Sequence, residues 1–116
     1  MTTARGATRA YQAASAHRSH REQEADVFRQ ANAGLARIRQ GGTMLARVRA
    51  LADNDRLWLM LVGALQDPAN RLPDALRGSI ISVGLAVQRE MRAREPDLEF
   101  LIEVNENIAA GLAGAG

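Results

Sequence analysis

Breaks at Gly41-Gly42, Asp67-Pro68 and Pro96-Asp97 divide the chain into segments whose apolar residues recur every three or four positions. A glycine pair permits the left-handed backbone that ends a helix. Proline lacks an amide hydrogen and biases the residue before it away from helix. Each apolar stripe must be buried against another, and short turns make neighbouring helices antiparallel. The sequence therefore predicts an all-α fold, a small antiparallel bundle of about four main helices.

The ends of these helices are marked by capping and proline signals. We expect the first helix to begin at Ser19, where a capping box with Glu22 can satisfy free amide groups. The second is expected from about Thr43 to Gln66, and its high hydrophobicity places it at the centre. Pro73 opens the third helix and the last break opens the fourth. The predicted apolar stripe of the first helix is Ala25, Phe28, Ala31, Leu35 and Ile38.

The N-terminal residues differ in composition from the rest of the chain. Residues 1–18 are rich in Ala, Thr, Arg and Ser, and Tyr11 is their only large apolar residue after Met1. Such a segment can bury little surface. We therefore predict a basic flexible tail or a possible short extra N-terminal helix over 1–18. A single helical bundle domain is predicted over 19–113.

The composition excludes several kinds of chemistry. The chain has no cysteine, so it has no disulfide, no thiolate nucleophile and no cysteine-based metal site, which is typical of a reducing compartment. Its longest apolar run, from Leu57 to Leu65, is far shorter than the roughly 20 residues that span a bilayer. No signal-peptide pattern stands at the N-terminus. We expect a cytoplasmic protein that does not enter a membrane.

Catalytic and metal-binding motifs are missing from the sequence. His17 and His20 have a spacing that could bind a metal, but Arg18 and Arg21 beside them would repel a cation. The acidic run Asp53-Asn54-Asp55 lacks the glycine and distal glutamate of a calcium loop, so we interpret it as a polar patch on a helix. There is no serine-hydrolase elbow and no phosphate loop. We expect no catalytic, metal or cofactor-binding residues, and no enzyme.

An arginine cluster suggests a possible nucleic-acid contact. The sequence Leu-Ala-Arg-Ile-Arg, which ends at Arg39, recurs almost unchanged as Leu-Ala-Arg-Val-Arg, which ends at Arg49. Four arginines therefore flank the glycine turn. They could hold RNA phosphates, although the cluster lacks stacking aromatics and the net charge is only +2. We do not expect a nucleic-acid partner, and RNA binding is kept as the alternative. The residues concerned are Arg37, Arg39, Arg47 and Arg49.

Three residues in the helices have unusual sequence contexts. Trp58, the only tryptophan, lies at helical spacing and is either a core residue or an interface anchor. Asn105 interrupts the apolar stripe of the last helix, so it either fixes helix pairing or faces a partner. Gly84 lies inside a helix, where glycine costs about 1 kcal/mol relative to alanine. It indicates a close helix–helix contact.

Three motifs, together with two shorter ones upstream, resemble one known family in order along the chain. The upstream ones are Ala10-Tyr11-Gln12 and the segment from Arg21 to Ala25. The first main motif is Ala50-Leu51 followed by the segment from Asn54 to Trp58. The other two run from Asn70 to Arg77 and from Ile102 to Leu112. With them the chain resembles the FlaF family of alphaproteobacterial flagellar biosynthesis regulators.

The resemblance implies a small helical protein required for flagellin synthesis or secretion and for filament assembly. It further implies that flagellin is the partner, bound as by a cytoplasmic secretion chaperone, and that the protein acts opposite an FlbT-type regulator. Because the terminal segments of flagellins are amphipathic and helix-forming, a helix-in-groove contact is physically reasonable. The candidate partner-binding residues are Arg56, Trp58, Asn105 and Asn107.

Overall fold

A computed structural model describes the backbone of residues 2–114 and the side chains of residues 8, 9 and 22–114. The chain folds into four helices, and residues 2–114 contain no strand. The helices are α1 (Thr2–Arg39), α2 (Met44–Gln66), α3 (Asp74–Met91) and α4 (Leu98–Gly114). The prediction of an all-α bundle with four main helices is confirmed.

Helix α1 begins much earlier than the capping box predicts. Its backbone is helical from Thr2 through Ser19 without a break, so a helix start at Ser19 is wrong. No glycine or proline occurs between residues 7 and 33, and a helix that has formed extends readily through such a sequence. The 38 residues of α1 span about 57 Å. A domain boundary between 1–18 and 19–113 stays a prediction, and the side chains of Tyr11, His17 and His20 lie outside the described residues.

The turn between α1 and α2 follows the predicted pattern. Gly41 and Gly42 have φ angles of 123° and 134°, which side-chain-bearing residues rarely adopt. The Thr43 hydroxyl oxygen then accepts a hydrogen bond from the Ala46 amide at 3.0 Å and caps α2. A glycine pair followed by a capping threonine thus reverses the chain within four residues.

Proline and capping groups also define the later turns. Pro73 opens α3 as predicted, but it is the N-cap residue, one position before the expected first helical position. At the start of α4 the Asp97 carboxylate accepts a hydrogen bond from the Phe100 amide at 3.1 Å. The Glu90 carboxylate accepts one from the Asp97 amide at 2.8 Å, which ties the end of α3 to the beginning of α4.

The helices pack as antiparallel neighbours around a shared core. α4 lies along α1, α3 lies along α2, and α1 also packs on α2. The α1–α2 pair is antiparallel because Phe28 meets Trp58 near one end whereas Gly34 approaches Ala50 nearer the turn. The core is formed mainly by these buried apolar residues: Ala25, Phe28, Leu35, Ile38, Trp58, Val62, Leu65, Val87, Leu101, Ile102, Ala109 and Leu112.

Candidate partner-binding site

Trp58 on α2 lies at the centre of the bundle and meets residues of the other three helices. The Phe28 ring of α1 packs edge-on against its indole, with ring centroids 5.7 Å apart and an angle of 79° between the rings. On α3, a Cβ placed on Gly84 would lie 3.3 Å from Cε3 of the indole and 2.6 Å from Cγ2 of Val62. The close helix contact predicted from Gly84 is therefore confirmed.

Because α3 lies so close to α2 at Gly84, replacing Gly84 by alanine is expected to destabilise the protein. A methyl group 2.6 Å from Val62 overpacks the contact, which costs about 1–3 kcal/mol and exceeds the gain in helix propensity of about 1 kcal/mol. The matched control is Gly78→Ala in the same helix, where the new methyl group meets nothing within 4 Å. Urea denaturation should show a lower midpoint for the first variant and an equal or higher midpoint for the second. Equal midpoints for both would contradict this packing.

A buried hydrogen-bond network joins Trp58 to α4 and α1. The indole Nε1 donates to Oδ1 of Asn105 at 2.8 Å. The Asn105 amide nitrogen in turn donates to Oδ1 of Asn54 at 2.7 Å and to Oδ1 of Asn32 at 3.0 Å. Trp58, Asn54 and Asn105 have no exposed surface. The network thus links three helices, and Asn32, its residue on α1, is partly exposed.

The amide nitrogens of Asn32 and Asn54, at the outer ends of the network, also have hydrogen-bond acceptors. The Asn32 amide nitrogen donates to the main-chain carbonyl of Ile102 at 3.0 Å, and that of Asn54 donates to the Met91 sulfur on α3 at 3.5 Å. A buried amide without partners costs about 1–3 kcal/mol, so these bonds keep the network stable. The run Asp53-Asn54-Asp55 lies on α2, as interpreted from the sequence, but its middle residue Asn54 is fully buried.

This burial bears directly on two of the predicted partner-binding residues. Neither Trp58 nor Asn105 exposes any surface, so neither can contact a partner directly in this conformation. Trp58 is a core residue, and the hydrogen bonds of Asn105 support the alternative in which it fixes helix pairing. Any effect of these two residues on binding must act through the arrangement of the helices.

The other two predicted residues are on the surface but apart from this network. Arg56 on α2 and Asn107 on α4 are both exposed. Arg56 is two positions from Trp58, and Asn107 is two positions from Asn105. Each is therefore turned about 200° around its helix from the buried residue. They therefore point outward from different helices and are not brought together by the fold. Their contact with a partner stays a prediction.

An apolar groove elsewhere on the surface was not predicted from the sequence. It encloses a cavity of about 360 Å³ between α1, α2, the α2–α3 loop and the end of α4. Val27 on α1 and Met60 on α2, 48% and 69% exposed, lie at its walls. We call this surface the α1–α2 groove. Its lining residues are Glu24, Val27, Phe28, Leu57, Met60, Leu61, Ala64, Leu65, Asn70, Arg71, Leu72 and Leu112.

The α2–α3 loop forms the polar rim of this groove. Asn70 is fixed there, because its amide nitrogen donates to the Ala64 carbonyl at 3.2 Å and its Oδ1 accepts from the Leu72 amide at 3.0 Å. Arg71 beside it is exposed and carries a positive charge at the mouth. An apolar floor with a charged rim is suited to binding an amphipathic helix.

The four arginines of the RNA-binding alternative lie on either side of the glycine turn, as the sequence requires. Arg37 and Arg39 end α1, whereas Arg47 and Arg49 are in the first two turns of α2. Within each pair the two side chains are about 200° apart around the helix, so each pair is divided between opposite faces. The fold does not gather the four charges into one patch, and RNA binding through them stays a prediction without structural support.

Clusters of metal-ligating side chains and long apolar helices are both absent from the described residues. No three His, Asp or Glu side chains among residues 8, 9 and 22–114 come close enough to hold a metal ion. Over the described part of the chain, no helix combines the length and apolar character that crossing a membrane requires.

Comparison with known proteins places the whole bundle in one family. The family model described as flagellar protein FlaF matches residues 7–112. This match includes most of α1, all of α2 and α3, the α2–α3 loop and nearly all of α4. No curated protein and no solved structure matches the chain. Because the match extends over most of the sequence, the chain belongs to the FlaF family of flagellar proteins.

Proposed function

We propose that this protein binds flagellin in the cytoplasm and acts as its secretion chaperone, in support of flagellin synthesis and filament assembly. The α1–α2 groove is the observation that carries the proposal. It is the place where an amphipathic helix of flagellin would bury its apolar face. An interplay with an FlbT-type regulator belongs to the same proposal.

The apolar walls of the groove support this function. Val27 and Met60 are largely exposed, although burial of side chains of this size contributes about 1.5–3 kcal/mol each. Phe28 and Leu65 behind them are buried and belong to the core, so the floor of the groove is held by the packing of the bundle. A groove formed in advance binds a helix with little loss of its own conformational freedom.

The chemistry of the groove favours binding over catalysis. Its lining includes one carboxylate, Glu24, and one guanidinium, Arg71, and it has no serine, histidine or cysteine. A nucleophile with a neighbouring base is what covalent catalysis requires. We therefore propose a protein that binds flagellin and has no enzymatic activity.

A charge introduced into the groove tests the proposal. Met60→Glu is expected to reduce co-purification of flagellin from flagellated cells at least about tenfold, because the carboxylate would be desolvated against the apolar face of the bound helix. Met44→Glu is the matched control, since Met44 is in the same helix, is 77% exposed and lies outside the groove. It should leave co-purification unchanged.

Two results would contradict this function. One is full retention of flagellin by the Met60→Glu variant, provided that circular dichroism shows both variants to be folded. The other is normal flagellin secretion in a strain from which the gene has been deleted.

A further inference from the structure

A second apolar surface runs along the outer side of α2. Leu45, Val48 and Leu59 are each more than half exposed, and Ala52 between them is exposed as well. Together with Asp55 they recur at intervals of three, four, three and four residues, which is the spacing of contact positions on a helix that pairs with another helix. We call this surface the α2 seam. Its residues are Leu45, Val48, Ala52, Asp55 and Leu59.

Within the part of the chain that the structure describes, no other helix covers the α2 seam. Leu59 follows Trp58 directly and is turned about 100° from it, away from the buried network. A shallow groove runs along its α3 side and is lined by Ala52, Asp55 and Leu59 of α2, by Gln88 of α3 and by Arg92 just after α3. The apolar side chains of the seam therefore point outward beside an open groove.

The order of residues along the seam is nearly symmetric about Ala52. Leu45 and Leu59 lie seven residues before and after it, with Val48 and Asp55 between. If two copies of α2 met in antiparallel orientation at Ala52, Leu45 of each copy would face Leu59 of the other. The smallest side chain would stand on the two-fold axis, where the helices come closest. A two-fold contact requires this kind of self-complementary surface.

The single charge on the seam favours the same orientation. In an antiparallel pair centred on Ala52, Asp55 of one copy stands level with Arg49 of the other, which gives two opposite-charge pairs. In a parallel pair in register, Asp55 would instead face Asp55 and the two carboxylates would repel each other. Charge complementarity therefore selects the antiparallel arrangement.

We propose that the chain forms a two-fold dimer through the α2 seam, with the two α2 helices antiparallel and Ala52 at the axis. The seam is about 21 Å long, so the contact is small and the dimer depends on protein concentration. Met60 is turned about 100° from Leu59, so the α1–α2 groove stays open in each copy. The dimer is thus independent of flagellin binding.

A single-cysteine experiment tests the position of the axis. Because the chain has no cysteine, Ala52→Cys introduces the only thiol. At the axis the two thiols fall within disulfide distance, so mild oxidation of the full-length protein should give a disulfide-linked dimer. The matched control is Asp53→Cys, an exposed neighbour turned about 100° around the helix. We expect cross-linking at residue 52 to be at least about tenfold faster than at residue 53.

Sedimentation equilibrium without cross-linking tests the chemistry of the contact. Val48→Glu is expected to raise the dimer dissociation constant at least about tenfold. Asp55→Arg should weaken the dimer, and adding Arg49→Asp to it should restore association.

Several outcomes would overturn the proposal. They are a wild-type chain that stays monomeric up to about 1 mM, equal cross-linking at residues 52 and 53, and a dimer whose stability these substitutions do not change. A monomeric chain that instead loses flagellin binding on Val48→Glu would also overturn it, because the seam would then serve a different partner.

Discussion

Truncation of Trp58 to alanine is expected to lower the free energy of unfolding by about 3–5 kcal/mol, the largest effect of any single substitution proposed for this chain. The indole is fully buried, and Phe28 and Gly84 pack against it from two other helices. Its removal leaves a cavity where these helices meet and takes the hydrogen-bond donor away from Asn105. A domain of this size is stable by about 5–15 kcal/mol, so the loss is a large part of the total.

Urea denaturation followed by circular dichroism at 222 nm measures this effect. Leu85→Ala in α3 is the control, because Leu85 is 52% exposed and its truncation should change stability by about 0.5 kcal/mol or less. A loss below about 1 kcal/mol for Trp58→Ala would show that the indole is not packed as described. Because Trp58→Ala destabilises the whole bundle, a loss of flagellin binding in this variant would not locate the binding surface.

Replacement of Asn105 by alanine is expected to destabilise the protein by about 2–5 kcal/mol. The amide accepts from the Trp58 indole and donates to Asn54 and Asn32, so its loss leaves a buried donor and a buried acceptor without their partner. Each such group costs about 1–3 kcal/mol.

The sequence contains a matched control for this variant. Asn107 is the same residue type two positions further along α4, and it is exposed. Asn107→Ala should therefore change stability by less than about 0.5 kcal/mol. Trp58 is the only tryptophan, so its fluorescence reports unfolding of the core directly in both variants. Similar unfolding midpoints for the two alanine variants would contradict the buried network.

The helices could be predicted from the sequence because local signals determine where they end. The glycine pair, Thr43 and Pro73 act through backbone geometry and capping within a few residues, and the structure places turns at each. The predicted start of a helix at Ser19 is wrong, although it also rests on a local signal. A capping box can begin a helix, but it does not end one that already runs through it.

The site could be predicted only in part, because its contacts join residues that are distant along the chain. Asn105 was recognisable as an amide within an apolar stripe. Its partner Asn54 was not, since it stands between two aspartates and resembles a surface residue. The α1–α2 groove is formed by α1, α2, a loop and the end of α4, so no local pattern marks it. Met60 lies within the longest apolar run of the sequence, whereas it is largely exposed.

A photocrosslinking experiment tests the central claim most directly. A benzophenone amino acid at position 60, in the α1–α2 groove, is compared with the same group at position 44 on the far end of α2. After irradiation in flagellated cells, mass spectrometry identifies any attached peptide. We expect position 60 to link to a helical terminal segment of flagellin and position 44 not to link to it. Absence of flagellin at position 60, or equal linkage at both positions, would contradict it.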